Sequence, residues 1–399
     1  MINLGLIALV LRNGPAPNHP APDHIVQASL VAFSVAVAAR HDGVVRIALA
    51  AGLNLPSYHR HQLSYHLGQL HRAMAIAATG WVAIAVAQTV TRRDAVGGIV
   101  GAAALLLLVA IGWSAREPIR RRLHNAFEAV HRFGGWATIV ILSWLVVRGS
   151  LLGRPPNVDI ARALAQPSVG LLVVVVGLVV HPWLGVRRLP VEIIGVTPDV
   201  VILALPGRRS VGEFVRVSRD GREWHSFAVS TVGTEGPGRF CLVIRRAGDW
   251  TERLGRDAHG GRTPGSLLVR PIRGYGFMLH AQSYRRVLFV ATGAGIGPVL
   301  PYLLGQSGLD FECLWIGRDH RRGMGSHLVD ELLARGSVTL IDTAGGRPDV
   351  GSLVRDRLVG EVAVSFDAVF VVSNAAVRDV VARVCWGLHV PCYGPTFDS

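Results

Sequence analysis

The distribution of apolar and polar positions changes character near residue 185. Before that point, apolar residues run in long stretches with no polar face. Ala73–Val90 and Val96–Trp113 are each nearly free of charge and close to the ~20 residues that cross a bilayer core. Phe133–Val147 is shorter and extends through Phe127–Val130 if His131 and Arg132 sit at the interface. Ser168–Leu184 is the most strongly apolar stretch, centred on Leu171–Val180. These four are expected to be membrane spans. Val26–Ala39, continuing through Arg46 to Leu55 as one broken segment, is expected to be a fifth. Met1–Leu11 is too short to cross and has no charged region ahead of it, so it does not read as a signal peptide. Buried helices of a soluble core are the competing reading, but several consecutive long apolar segments speak against it.

After Arg188 the pattern shortens. Val191–Leu205, Phe214–Val217, Phe227–Ser230, Phe240–Arg245 and Ser266–Pro271 are β-rich runs broken by Gly, Pro and Asp, a spacing that predicts an antiparallel barrel or sandwich. From Arg285 the runs alternate: strand Val287–Ala291, helix Gly297–Leu304, strand Phe311–Ile316, helix Ser326–Ala334, strand Val338–Asp342, strand Ala368–Ser373, helix Ala376–Trp386. Such alternation predicts a parallel α/β domain. The expected fold is therefore a multi-domain membrane protein. It has an α-helical transmembrane bundle (1–188), an antiparallel β-barrel (189–284) and an α/β parallel-sheet nucleotide-binding domain (285–399).

Composition sharpens this. Of 399 residues 50% are hydrophobic and only 17% charged, against about 25% charged in an ordinary soluble domain. All 41 basic residues are arginine. The absence of lysine excludes a Walker-type phosphate loop and Schiff-base chemistry. Cys241, Cys313, Cys385 and Cys392 form no CxxC and no metal-ligand spacing, so they read as reduced thiols. Arginine bias sets the orientation. Arg116, Arg120, Arg121 and Arg122 in one loop, and Arg187 and Arg188 after the last span, place both on the cytoplasmic side. The expected protein is multi-pass, in the plasma membrane, with everything after 187 cytoplasmic. The net charge of +14 suits anionic lipid and phosphate. Nucleic acid is not expected as a partner, because no basic stripe alternates with aromatics.

Arg285–Pro298 joins a strand to a predicted helix through Gly293, Gly295 and Gly297. Glycines let a backbone approach a pyrophosphate, and a helix N-terminus offers it amide donors. Many α/β proteins turn through glycines without binding a nucleotide, so the preceding β-rich module gives this turn its weight.

The motifs resemble one family in order and spacing across Pro190–Asp349. Trp224-His225-Ser226-Phe227-Ala228-Val229-Ser230 is similar to the His-Pro-Phe-Ser/Thr flavin motif of the ferric reductase and NADPH oxidase superfamily. Ile244-Arg245 with Gly248-Asp249-Trp250-Thr251 resembles its Ile-Arg and Gly-Asp-Trp-Thr stretch, and Gly274-Tyr275-Gly276 its pyrophosphate turn. Gly293–Pro298, Trp315 with Arg318, and Gly346-Arg347-Pro348-Asp349 resemble its nicotinamide-side motifs. Tyr65–His71, Asn125–Arg132 and Tyr393–Ser399 look like the branch of membrane flavoproteins named for a fungal regulator of asexual sporulation; residues 1–56 are not covered.

The resemblance implies a ferredoxin-NADP reductase-like module holding FAD and NADPH or NADH. His225, Ser226, Phe227, Ala228, Arg245, Thr251, Gly274, Tyr275 and Gly276 would take the flavin. Thr292, Gly293, Gly295, Gly297, Pro298, Arg318 and Arg347 would take the nicotinamide nucleotide. Phe227 and Ser373 would border hydride transfer. Arg318, Arg321 and Arg322 could bind a 2′-phosphate or form a solvated surface cluster, and Asp319 keeps NADH in play. Two positions depart from the family: Ala228 stands where a Ser or Thr is usual, and Ser373-Asn374-Ala375 where many relatives have Cys-Gly-Pro.

The same family carries two haems between histidine pairs. Here His71 and His131 could share one inner haem b. The outer positions are Ile84, Ala85, Trp144 and Leu145, none of which ligates iron, so two haems are excluded. We read His71 and His131 as interface anchors in preference to ligands, and His59, His61, His66 and His181 likewise. The expected function is membrane-bound, FAD-dependent oxidation of NAD(P)H, with electrons passed to a membrane or cytoplasmic acceptor that the sequence does not name. The alternative is a regulatory or sensory flavoprotein that binds FAD and nucleotide with little turnover.

Overall fold

The computed structural model describes residues 24–55, 57–91, 93–152, 165–231, 236–261, 265–305, 308–360 and 365–395. Met1–Leu11 and the last four residues of the Tyr393–Ser399 motif lie outside them. The chain forms two compact units, one of residues 1–41 with 67–181, the other of residues 42–66 with 182–399. The division falls between His181 and Pro182, and residues 42–66 group with the C-terminal unit.

Apolar runs become helices wherever no polar break intervenes. Helix α1 (His24–Ala38) ends before His41, and after a 69° bend the chain continues as α2 (Asp42–Gly52). Then come α3 (Ser57–Thr91) and α4 (Ala95–Ser114). Asp94 starts α4 by accepting the Gly97 N–H at 2.9 Å. Short α5 (Glu117–Arg122) and α6 (His124–Ala129) lead through a π-helical turn (Val130–Gly134) into α7 (Gly135–Leu152), and α8 (Pro167–Val180) closes the helical part. Arg148 on α7 donates twice to Asp94, at 2.7 and 3.0 Å, tying the far end of α7 to the start of α4. Ile76, Ile99, Leu106 and Val140 stay exposed, so this unit is apolar outside as well as inside.

Among the described residues, His66–Thr89, Ala95–Ser114 and His124–Gly149 are long and apolar enough to cross a membrane, with a fourth if α1 and α2 count as one span. Two expectations shift. Helix α8, the most apolar stretch, has 14 residues, about 21 Å at 1.5 Å per residue and short of a ~30 Å hydrocarbon core. The broken segment bends by 69° between α1 and α2, and α2 beyond the bend packs against a strand of the C-terminal unit.

In that unit, strands β1 (Arg187–Pro190), β2 (Glu192–Val196), β3 (Val200–Pro206), β4 (Glu213–Ser218), β5 (His225–Ala228) and β6 (Arg239–Arg245) precede helix α9 (Asp249–His259). Strands β7 (Ser266–Val269) and β8 (Gly274–Tyr275) follow. They form two antiparallel sheets, β1-β7-β4-β5 with β8 beside β4, and β2-β3-β6. Their inner faces close over Val201, Leu203, Val215, Leu242, Trp250 and Leu254. The predicted run Val191–Leu205 divides because Thr197-Pro198-Asp199 makes a turn, with the Thr197 N–H donating to Val200 O at 2.9 Å.

The rest is β9 (Arg286–Thr292), α10 (Leu300–Leu304), β10 (Asp310–Gly317), α11 (His320–Met324), α12 (Ser326–Ala334), β11 (Val338–Asp342), α13 (Val350–Val359), β12 (Ala368–Val372), α14 (Ala375–Gly387) and β13 (Cys392–Tyr393). The sheet is parallel throughout, in the order β11-β10-β9-β12-β13. One apolar core runs from Val200, Ile202 and Cys241 of the barrel through Met278 and Ala281 to Phe289, Tyr302 and Phe370. The Tyr302 hydroxyl donates to Met278 O within it, and burial raises that phenol above its ordinary pKa. Barrel and parallel sheet are therefore packed as one body.

Candidate functional site

The strand order makes β9 the centre from which the chain winds first toward β10 and β11 and later toward β12 and β13. The crevice above the carboxyl ends of β9 and β12 is thus a topological switch point, where open α/β sheets bind ligands. Thr292 ends β9 and Ser373 follows β12, and their hydroxyls lie 2.8 Å apart. Gly293 turns away with φ +52°, and a Cβ there would meet nothing within 4 Å. The Trp315 indole N–H holds this turn by donating to Gly293 O at 2.9 Å. A Cβ at Gly295 would lie 2.4 Å from Val372 O, so this glycine serves close packing of the loop on β12, while Gly293 faces open space.

The helix predicted at 297–304 is not formed as expected. A 3-10 turn covers Gly293–Ile296, and α10 spans only Leu300–Leu304. Pro298 and Pro301 lack an N–H, so the long dipole-bearing helix of a Rossmann turn is absent, and a nucleotide would meet loop backbone and side chains instead.

Ser230, just past β5, donates to Gly297 O at 2.7 Å, joining the barrel to the glycine turn. Along β5, Val215 pairs with Phe227 and Arg216 with Ser226. Phe227 stacks on Trp250 at 5.9 Å between ring centres and 30° between planes, and His225 lies 4.6 Å from the same indole. Phe227 is half-buried, so Trp250 backs its ring from within the core. Arg245 is exposed at the end of β6. Thr251 Oγ accepts the Ala247 and Gly248 N–H groups at 3.1 and 3.0 Å and donates to Gly248 O. Its hydroxyl is thereby committed to starting α9, in place of the expected cofactor contact.

Gly274 is required by its own strand, since a Cβ would overlap the Phe214 ring at 2.2 Å. The Gly276 N–H donates to Gly212 O at 2.9 Å, so that amide belongs to the sheet. Several arginines lie on and beside this part of the sheet, where Tyr275 pairs with Glu213. Arg209 and Arg273 flank the fully buried Glu213 carboxylate at 3.8 and 3.5 Å, and burial lowers the Arg209 pKa. Arg270 sits between the Trp183 and Trp224 rings at 4.3 and 4.7 Å. Arg46 of α2 lies 5.5 Å over the Tyr275 ring, and Asp42 of α2 accepts two hydrogen bonds from Arg216, at 2.8 and 2.9 Å.

Arg318 and Arg322 are exposed. Arg321 pairs with Asp330, and Asp319, at φ +45°, accepts the Arg322 N–H to start α11. Arg347 is exposed just before Asp349, which starts α13 by accepting the Ser352 N–H and hydroxyl. These bonds hold the Asp349 carboxyl below its ordinary pKa. The four cysteines are free.

In the helical unit, His71 and His131 face each other with ring centres 6.3 Å apart, and His71 Nδ1 bonds Ala36 O at 2.8 Å. His181 bonds His41 at 3.0 Å, so its ring is held by a neighbouring helix end rather than free to anchor. The side chains of His59 and His61 lie outside the described residues, among which no cluster of three or more metal-ligating side chains occurs.

Sequence reasoning quoted Ser230 and Trp250 within motifs without giving them roles. It missed Asp42, Arg46, Arg209 and Glu213 altogether. Only period-2 alternation along β5 hinted at Ser230; nothing local signals the others.

Residues 277–399 match the family model of the adenylate-forming reductase 03009 C-terminal domain. Adenylate-forming reductases 03009 and 06235 from Coprinopsis cinerea are 29% and 28% identical over 357 and 365 residues, 84% of this chain and 33% of each of them. The chain therefore spans about a third of the length of the curated relatives it matches. Among solved structures, phthalate dioxygenase reductase is similar with TM-score 0.43 and 18% identity, over 53% of this chain and 68% of that one. A ferredoxin NADP+ reductase from Neisseria gonorrhoeae with bound FAD and NADP is similar with TM-score 0.42 and 12% identity, over 52% of this chain and 98% of that one.

Proposed function

We propose that the C-terminal unit is an NAD(P)H-dependent flavin reductase module whose electrons leave for a membrane or cytoplasmic acceptor. One observation carries this reading: the open switch-point crevice, where Gly293 and the Thr292–Ser373 hydroxyl pair meet the barrel strand bearing His225–Ala228 through the Ser230–Gly297 hydrogen bond. The motif order across Pro190–Asp349 and the two relatives, both named reductases, support it. We propose only the redox half of those names for this chain.

The residues fit FAD: an aromatic wall backed by Trp250 stands on β5, Arg46 lies over the Tyr275 ring, and Arg209 and Arg273 flank Glu213, which pairs with Tyr275. Bound FAD would supply acceptance of a hydride and release of single electrons. Phe227 would wall the ring, Arg245 and Arg273 would face phosphate, and Thr292 with Ser373 would orient the nicotinamide amide by hydrogen bonds. Ala228 offers no hydroxyl, and the Ser373 hydroxyl is already bonded to Thr292; these two facts favour the regulatory reading as the alternative.

For the helical unit we propose a membrane anchor, supported by its apolar exterior. His71 and His131 carry a second reading. The two rings face each other at 6.3 Å, and the Ala36 contact at Nδ1 leaves the other nitrogen of His71 able to ligate, so this pair would hold an inner haem if one binds; the anchor role stays the first reading.

An ultraviolet–visible spectrum of purified full-length protein, before and after NADPH and NADH, tests all of this. A flavin spectrum bleached by either nucleotide is expected. Colourless protein that ignores added FAD would end the flavin reading, and flavin that stays oxidised would favour the regulatory one. A Soret band lost in His71→Ala and His131→Ala would establish the haem, and its absence the anchors.

A further inference from the structure

The turn that would face the FAD diphosphate has its Gly276 amide committed to Gly212 O. A diphosphate carries about two negative charges and needs charge-assisted donors, so arginine side chains must supply them. Arg46 lies over the Tyr275 ring, Arg209 and Arg273 lie beside Glu213, the ladder partner of Tyr275, and Arg270 follows β7; they are not equivalent. Arg270 is held between two indoles, and Arg209 is buried beside Glu213 and over the Phe240 ring. Arg273 is 44% exposed and lies 3.5 Å from the same carboxylate. Arg46 is exposed, and among the described residues its one contact is the Tyr275 ring, with no carboxylate in ion-pair range.

Helix α2 is not resting there loosely. Asp42 is buried and bonded twice to Arg216 of β4, whose ladder partner is Ser226 of the flavin motif. One helical turn of about 5.4 Å separates Asp42 from Arg46, so the ion pair fixes the height at which Arg46 emerges over Tyr275. The helix thus reaches the same sheet face as Gly274–Gly276, from a position more than 170 residues earlier in the chain.

We infer that Arg46 is a phosphate-binding residue of the FAD site, delivered to the Gly274–Gly276 turn by α2 and positioned by the Asp42–Arg216 ion pair. The inference rests on the flavin reading above and deepens it. Part of the dinucleotide site is built by a segment outside the barrel and outside every motif of the reductase module. A guanidinium suits the task better than an ammonium, because its planar fork bonds two phosphate oxygens while its face stays on the aromatic ring.

The test compares FAD with riboflavin, which shares the isoalloxazine and ribityl chain but lacks both phosphates. Binding to the purified full-length apoprotein is followed by quenching of flavin fluorescence for wild type, Arg46→Ala and Arg46→Gln. Glutamine keeps the Cβ and Cγ of the side chain without the guanidinium that lies over Tyr275 and guards against loss of the fold. Loss of FAD affinity by tenfold or more in both variants is expected, with riboflavin affinity unchanged and a weaker salt dependence for FAD. Wild-type FAD affinity in both variants, or equal loss of FAD and riboflavin, would overturn the assignment and leave Arg46 as a packing residue. If wild type itself binds no FAD, the flavin reading fails, and this inference fails with it.

Discussion

Replacing Gly295 by alanine tests the packing that sets the crevice. The added methyl carbon would stand 2.4 Å from Val372 O and 3.2 Å from the carbonyl carbon. An ordinary carbon–oxygen contact is about 3.3 Å or longer, so the overlap is roughly 0.9 Å. The nearest neighbour is strand backbone in a parallel sheet, not the end of a flexible side chain, so relief requires moving β12 or the loop. Overpacking of this kind costs about 1–3 kcal/mol. For a unit of this size that is about 2–4 °C of melting temperature per kcal/mol, a drop of roughly 2–12 °C. Gly345→Ala is the matched control. It lies in an exposed loop with no atom within 4 Å of the built Cβ, and its effect should stay within about 0.5 kcal/mol. Because Ser373 directly follows β12, Gly295→Ala should also part the 2.8 Å hydroxyl pair and weaken NAD(P)H binding. Thermal melts followed by tryptophan fluorescence, with nucleotide titrations on the same samples, read both effects. A Gly295→Ala protein that melts and binds like Gly345→Ala would refute the claim that this glycine is required by contact with β12.

Arg216→Ala should destabilise the C-terminal unit by about 2 kcal/mol in denaturant titrations; it strands the buried Asp42 carboxylate, but Arg216 is a third exposed, which keeps the cost below that of a fully buried pair. Ser230→Ala removes the shorter of two hydrogen bonds to the Gly297 carbonyl, leaving the Leu300 N–H at 3.3 Å, for about 1 kcal/mol in the same assay. The Arg148 guanidinium beside Asp94 holds that carboxyl below the usual range. The resulting stabilisation is present above the unfolded carboxylate pKa of about 4 and is lost as pH falls through the lowered folded value. The stability gap between wild type and Asp94→Asn should therefore be full at pH 7 and close on acidification below pH 4, as read by circular dichroism melts.

Much of the fold could be read along the chain because its signals are local. Ser326–Ala334 and Val338–Asp342 form as expected, since period and punctuation there reflect contacts within a few residues. The long apolar segments 73–90 and 96–113 become helices for the same reason. The glycine turn after β9 was visible, but its helix was overestimated: glycine spacing carried the expectation, while Pro298 and Pro301 deny the amides that a longer helix needs. Thr251 shows the opposite limit. Its motif was plain, yet its hydroxyl serves the start of α9.

What no stretch of residues announces is which distant partner a group will meet. Asp42–Gly52 is apolar enough to pass for half a span, and only its contact with Arg216 and Tyr275 assigns it to the barrel. The Ser230–Gly297 bond, the Glu213–Arg209–Arg273 cluster and the facing pair His71 and His131 arise in the same way. Periodicity and turn chemistry are short-range properties written into neighbouring residues, whereas these pairings exist only once folding has closed loops of tens to hundreds of residues and removed the partners from water.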